Sequence, residues 1–476
     1  MITGRIIKTT LLCIMLVQGA GLMAQKKYAF TVNDAVRYAV QNVTEIRNLQ
    51  VDRKIQLSKN DEIRGQALPQ INGTLSATHY FSIPVTLLPD FVSPSVYKVL
   101  TDEGVKDGNG NPITNPTGEP QFFPAKFGVP WQASAGFTFQ QLLFQPDVFV
   151  GLQARDVALK YADINIKSME DSVTSSVYRA YYAVLIAEKR KVFIDDGVKR
   201  LEKLSSDQQQ LYNNGFAEKL DIDRTQVSLN NLKSAQLQIN NLIYIGYASL
   251  KYTVGLNQTD TLMLADTLSI DVVKKDILDT SGFKYTDRNE IQLLNTVKEL
   301  RELDLKRYKL AYVPTVSAYW NFSKNALRKS ADYFNFKEPW YTTNIAGLNI
   351  NVPIFDGLQR SNRVKQARYE LEKTQNNVEN LQRVIDFQRE AAFNQFRNAI
   401  ANLDVQDRNL ALAEKVYNTT KKKYEQGLGS SFDVLQTEQS FEDAQSNFFQ
   451  AMYDAVIAKI AYYRSLGRLS SNNTNK

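Results

Sequence analysis

Few residues here could do acid–base, nucleophilic or metal chemistry. His79 is the one histidine and Cys13 the one cysteine in 476 residues, so the side chains most used as metal ligands and nucleophiles cannot form clusters. His79 falls on the apolar-facing register of an expected strand, an interfacial place rather than a catalytic one. Cys13 follows Leu12, where a lipid-attachment site would carry a small residue, and it lies inside an apolar run. The paired acids Asp195 with Asp196 and Asp221 with Asp223 read as helix-surface or capping residues. No P-loop, dinucleotide-binding glycine pattern or zinc-ligand spacing occurs. No catalytic, cofactor or metal residue is assigned, and the chain is not expected to be an enzyme. Two acids keep a special place: Asp221 and Asp433 each lie six residues past a turn glycine, Gly215 and Gly427.

The elements that would position these acids begin behind a leader. Arg5 and Lys8 precede the apolar stretch Leu11 to Val17 and the small residues before Ala24, the pattern of a secretory signal peptide over 1–24. Without Arg5 and Lys8 the formal charge of +7 falls to +5, with bases scattered among nearly as many acids. Nucleic acid is not implied. Beyond the leader no run of about 18 apolar residues exists, so a membrane would have to be crossed by strands.

The chain reads as two copies of one unit. At an offset of 212, Leu159, Ile166, Val173, Ala180 and Ala187 match Leu371, Val378, Ile385, Ala392 and Ala399; Tyr212, Gly215, Asp221 and Gly255 match Tyr424, Gly427, Asp433 and Gly467. The first repeat is expected over 25–254, with a helix at 33–66, strands at 70–84 and 130–145 around an irregular loop 85–129, and a helical hairpin at 152–254. A connector 255–286 leads to the second repeat, 287–467, with a helix at 287–310, strands at 314–324 and 340–354, and a hairpin at 358–467. Residues 468–476 are a tail.

The matched positions are spaced by seven, and no proline occurs between Leu152 and Asn213 or between Leu358 and Gln426. Each segment predicts one coiled-coil helix of about 90 Å at 1.5 Å per residue. Gly215 and Gly427 end these helices, and a second helix returns from near Asp221 or Asp433; Ser430 with Asp433 resembles a capping box. After Pro69 and Pro314 the period changes to two. Trp131, Ala133, Ala135, Phe137 and Phe139 alternate with Gln132, Ser134, Gly136, Thr138 and Gln140, and Leu348 and Ile350 alternate with Asn349 and Asn351. Such strands suit lipid on one side and water on the other, but four of them cannot close a barrel, so the protomer is expected to associate.

This order of elements resembles the TolC family of outer-membrane efflux and secretion channels. Tyr424, Gly427, Asp433 and Leu435 form its Tyr-x-x-Gly and Asp-x-Leu pattern, and Ala67 to Pro69 enters the first strand as is typical there. The resemblance implies a mainly α protein with membrane β: a homotrimer whose long coiled-coil helices make a periplasmic tunnel and whose strands complete a 12-stranded barrel. It further implies a passive duct without cofactor, partnered by a periplasmic adaptor (membrane fusion) protein, an inner-membrane transporter and outer-membrane lipid. Tyr212, Asp221, Tyr424 and Asp433 become candidate gate residues, and Gly215, Phe216, Gly427 and Leu428 candidate adaptor-docking tips. Gly429 and Gln436 depart from the family's gate pattern, where a basic residue and a second Asp can occur. The competing reading is a soluble periplasmic coiled-coil adaptor or binding protein.

Overall fold

Prolines and glycines mark where one kind of element gives way to the next. In the computed structural model, which describes residues 26–115, 122–267, 269–274, 282–333, 335 and 337–469, the chain starts with β1 (Lys27–Phe30), α1 (Val32–Asn42), α2 (Thr44–Gln66), β2 (Gln70–His79), β3 (Val85–Pro89), α3 (Val92–Asp102), β4 (Phe122–Lys126) and β5 (Trp131–Phe144). The paired helices α4 (Pro146–Asn213) and α5 (Lys219–Val254) follow, then β6 (Thr261–Leu264), α6 (Ile270–Lys274), α7 (Asn289–Leu310), β7 (Thr315–Arg328) and β8 (Tyr341–Asn351). A second helix pair, α8 (Gln359–Glu425) and α9 (Ser431–Ser465), completes the order. The expected leader 1–24, residues 275–281 of the connector and residues 470–476 of the tail lie outside the described residues. Two compact units form, each drawn from both halves of the sequence: a sheet unit of Asn60–Leu152 and Lys306–Val364, and a helical unit from the rest.

In the sheet unit four strands pair antiparallel in the order β2-β5-β7-β8. Side chains alternate along a strand, so register decides which residues share a face. It sets Ile71 opposite Phe139, Leu75 opposite Ala135, Phe137 opposite Phe322, Phe139 opposite Trp320, and Val316 opposite Ile350. The other face pairs Asn72 with Thr138, Thr138 with Asn321, and Ser317 with Asn349. One face is therefore largely apolar across all four strands, interrupted by Lys324 opposite Ala135, Gln141 opposite Ala318 and Asn344 opposite Phe322. Phe137 anchors it, edge-on to Trp320 and stacked on Phe322 with centroids 5.4 Å away in each case. On the polar face Tyr319 lies over its partner Gly347, where a Cβ would fall 2.7 Å from the phenol oxygen. β2 and β8 close neither side of the sheet, and among the described residues each keeps one edge with no strand beside it.

Two local expectations are corrected. The segment 85–129 is not wholly irregular: β3 and β4 form an antiparallel ribbon with α3 between them. Both strands of a ribbon are edge strands, where Pro89 and Pro124 remove no central bond. Asp90 starts α3 by accepting from the amides of Val92 and Ser93 at 3.1 and 2.9 Å. The helix expected at 33–66 is two helices, broken at Val43, which is extended at φ −64° and ψ 130°. Gly255, at the end of α5, comes so close that a Cβ there would meet the Asn42 carbonyl at 3.4 Å. The break admits that approach.

The helical unit is organised by the seven-residue spacing. On α8, Ile385 and Ala392 lie in one row and Phe396, Leu403 and Tyr417 in another offset by four, all buried. This is the seam of a coiled coil. Leu403 packs with Met452 and Ala455 of α9. A second core gathers Ala39, Ile46, Tyr181, Leu250 and Val254 beside the parallel pair β1 and β6. The buried Tyr181 donates its hydroxyl to the Phe30 carbonyl at 2.9 Å, satisfying a group that would otherwise cost about 1–3 kcal/mol.

Two glycines at helix ends separate backbone from packing effects. Gly215 has φ +82° and open space where a Cβ would stand, whereas Gly467 has φ +69° and a Cβ there would fall 2.3 Å from the Asp287 carbonyl oxygen. Gly215→Ala is expected to cost about 1–2 kcal/mol, the left-handed penalty alone, and Gly467→Ala clearly more. Thermal unfolding followed by circular dichroism ranks them; equal midpoints would mean that the Gly467 contact yields without cost.

Candidate functional site

The candidate residues sit at two helical turns built alike. At the end of α4 the Gly215 amide donates to the Tyr212 carbonyl at 2.9 Å and the Phe216 amide to that of Leu211 at 2.8 Å; at the end of α8 Gly427 donates to Tyr424 at 2.9 Å and Leu428 to Lys423 at 2.8 Å. Both are Schellman closures, which need a left-handed residue, supplied by Gly215 and by Gly427 at φ +74°. The residue after the glycine usually folds back onto its helix in this motif. Here Phe216 and Leu428 instead stand 81% and 75% exposed, two apolar tips held out by rigid turns.

The two acids are handled differently. Ser430 caps α9: its hydroxyl accepts from the Asp433 amide at 3.1 Å while its own amide donates to Asp433 Oδ2 at 3.3 Å, completing a capping box, and the hydroxyl also donates to Oδ2 at 2.7 Å. These bonds from Ser430 hold the Asp433 carboxyl below the usual range. α5 has Glu218 at the same place, with no side-chain cap, and Asp221 in its first turn offers its carbonyl to the Thr225 hydroxyl at 3.0 Å. Asp221 and Asp207 lie near Tyr424, whose phenol is pushed up mainly by burial and further by these two charges. Tyr212 is exposed. The structure thus brings Asp221 to Tyr424, occupies Asp433 in its own cap, and joins the starts of α5 and α9 through Arg224, 5.4 Å from the Phe432 ring centre.

A stronger link lies further along the helices, among residues that no motif singles out. Arg200 of α4 grips Glu438 of α9, Nη2 to Oε1 at 2.6 Å and Nε to the two oxygens at 3.0 and 3.2 Å. The Glu438 side chain is 3% exposed. Tyr417 and Phe441 face the guanidinium, with ring centres 5.6 and 5.3 Å away, and the Tyr417 phenol is pushed far up by burial, then by Glu438. A paired charge this buried matters less as net stability than as register, but losing one partner leaves the other stranded at about 3–5 kcal/mol. Arg200 and Glu438 are 238 positions apart, so no spacing rule joins them. One signal was available: Glu438 lies between Val434 and Phe441, a charge within an apolar helix row.

Known proteins share this fold. Residues 307–468 match the family described as outer membrane efflux protein. The outer membrane protein TolC of Vibrio cholerae is 19% identical over 344 residues, 71% of this chain and 78% of that protein. The proteases secretion protein PrtF of Dickeya chrysanthemi is 21% identical over 300 residues, 61% of this chain and 63% of that protein. The CmeC outer membrane channel of Campylobacter jejuni superimposes with a TM-score of 0.69 at 13% identity, covering 95% of this chain and 93% of that one. Family match, relatives and fold agree: residues 307–468 carry the outer membrane efflux protein match, and the chain is similar over most of its length to TolC-type outer-membrane efflux and secretion channel proteins, with the outer membrane as its location.

Proposed function

We propose that three copies of this chain form a passive exit duct through the outer membrane, for cargo driven by an inner-membrane transporter and handed on through a periplasmic adaptor. The observation that carries this reading is the four-stranded sheet with one apolar face and two unpaired edges. In lipid each unpaired backbone group costs several kcal/mol, so edges β2 and β8 need neighbours, and three copies give twelve strands, an even number within the range of such barrels. The shared order of helix, strands and long hairpin in the two halves supports a twofold internal repeat. A soluble adaptor has no use for Leu75 and Ile350 standing 83% and 59% exposed on one sheet face. In this reading the segment 85–129 faces outward from the cell, Phe216 and Leu428 with their turn glycines meet the adaptor, and Tyr212, Asp221, Tyr424 and Asp433 belong to the gate. The chain acts as a conduit, not a catalyst.

The protein should be extracted only with detergent, and its mass in detergent should be that of three protomers. A monodisperse monomer in plain buffer would remove the barrel.

Lysine at Phe137, Leu348 or Ile350 should block trimer assembly, since a lipid-facing base costs about 2–4 kcal/mol at the midplane, whereas lysine at Thr138 or Asn349 should be tolerated in a wet lumen. Heat-modifiable migration on gels reads the outcome. Equal sensitivity of both faces would reverse the assignment of inside and outside.

Three copies of Asp433, helped by Asp221, would form a carboxylate ring that favours cations. The folded-state value of Asp433 is depressed, so its capping contribution is present above the ordinary carboxylate range and lost as pH falls through the lowered value. At N3 an Asn Oδ1 can still accept from the Ser430 amide, so Asp433→Asn should weaken cation preference and block by multivalent cations in planar bilayers while folding stays intact. Unchanged ion preference in that variant would leave Asp433 as a cap only.

A further inference from the structure

Two carboxylates on α9 share one guanidinium. Glu438 and Glu442 lie one helical turn apart, and the hydrogen bonds of Arg200 go to Glu438. Oε1 of Glu442 is buried without a hydrogen-bond partner, and so is Nε2 of Gln445, a residue only 6% exposed. Both residues line a cavity of about 170 Å³ between α4, α5 and α9. Gly197, inside α4, makes the room: a Cβ there would fall 2.8 Å from Leu232 Cδ2 and 3.7 Å from Glu442 Oε1. A glycine in a helix interior costs about 1 kcal/mol relative to alanine, which close approach of this kind explains.

The charges around Glu442 can be named from every packed element. α4 supplies Arg200, and also Arg190, which lines the cavity and donates to the Ser446 hydroxyl at 3.1 Å. α9 itself supplies Glu438 and Asp443, α8 supplies the phenol of Tyr417 beside Glu438, and α5 lines the cavity with Leu232 and Ala235.

We propose that Glu442 is a proton-operated latch between the α4–α5 hairpin and α9. Protonated, it fits the cavity as a neutral group and leaves the Arg200–Glu438 fork undisturbed. Ionised, it sets a second negative charge beside Glu438, competes for Arg200 and loosens the contact between α4 and α9. Burial first, then the charge of Glu438, raises the Glu442 carboxyl to about 7. A raised folded-state value means that the contribution to stability is complete below the ordinary range and is lost as pH rises through about 7. Neutral to alkaline surroundings therefore release the latch and acid surroundings set it. Only the consequence for conduction rests on the channel reading.

The test is hydrogen exchange of the full detergent-solubilised protein, read in peptides from 190–202 and 434–448, for wild type and Glu442→Gln at matched pH between 5.5 and 8. Glutamine keeps the shape and the neutral state. The exchange rate of wild type relative to Glu442→Gln is expected to rise about tenfold or more across that range, and Asp443→Asn, a neighbouring exposed acid, should keep the wild-type profile. Parallel profiles for wild type and Glu442→Gln would overturn the latch, as would a profile abolished equally by Asp443→Asn. Planar-bilayer conductance of the same samples judges the channel reading separately: a protein that never conducts yet shows the exchange difference sinks the channel and leaves the latch standing.

Discussion

A backbone amide or carbonyl at the open edge of a sheet has no water to turn to inside hydrocarbon, and that requirement governs what this chain can be. Its four strands put apolar residues on one face with a consistency that register, rather than any single strand, creates. A sheet of that kind cannot stop at β2 and β8 in lipid. Under the proposed channel reading, association is a condition of the membrane-embedded state and not an addition to it. Phe137, between Trp320 and Phe322, shows how cross-strand aromatic pairs hold the register on which the apolar face depends.

The helical unit answers a different constraint. Long helices with a seven-residue seam can slide, because one apolar layer resembles the next. Polar residues within the seam discriminate between layers. Glu438 finds Arg200 in one register only, and Gln208, fully buried, accepts from the Thr225 hydroxyl at 2.5 Å. Such pairs contribute alignment more than net stability, and because they are polar they can be weakened by a proton or a competing charge. That is the property a movable assembly of helices requires.

The two helical turns show how similar sequence yields dissimilar electrostatics. Both turns use the same glycine closure and present an apolar residue to solvent. Yet Ser430 engages Asp433 in a cap, whereas Glu218 makes no side-chain cap and leaves Asp221 toward Tyr424. At matching places in the two turns, one acid is thus bound into the start of its helix and the other is left to face a neighbouring phenol.

Much of this was legible in order along the chain. Local signals determined it: the change of period after Pro69 and Pro314, the seven-residue spacing from Leu159 and from Leu371, the left-handed turns at Gly215 and Gly427, and the Ser430–Asp433 box all depend on residues within about two turns of each other. Signals of that range could not reveal the ribbon hidden in a proline-rich segment, where tolerance of Pro124 depends on having no further strand beside it. Nor could they place the break at Val43, which answers to Gly255 more than two hundred residues away. The Arg200–Glu438 fork, the unpartnered Glu442 and the cavity opened by Gly197 were decided by tertiary packing alone, since burial and charge pairing belong to the space between helices and no spacing along one helix encodes them.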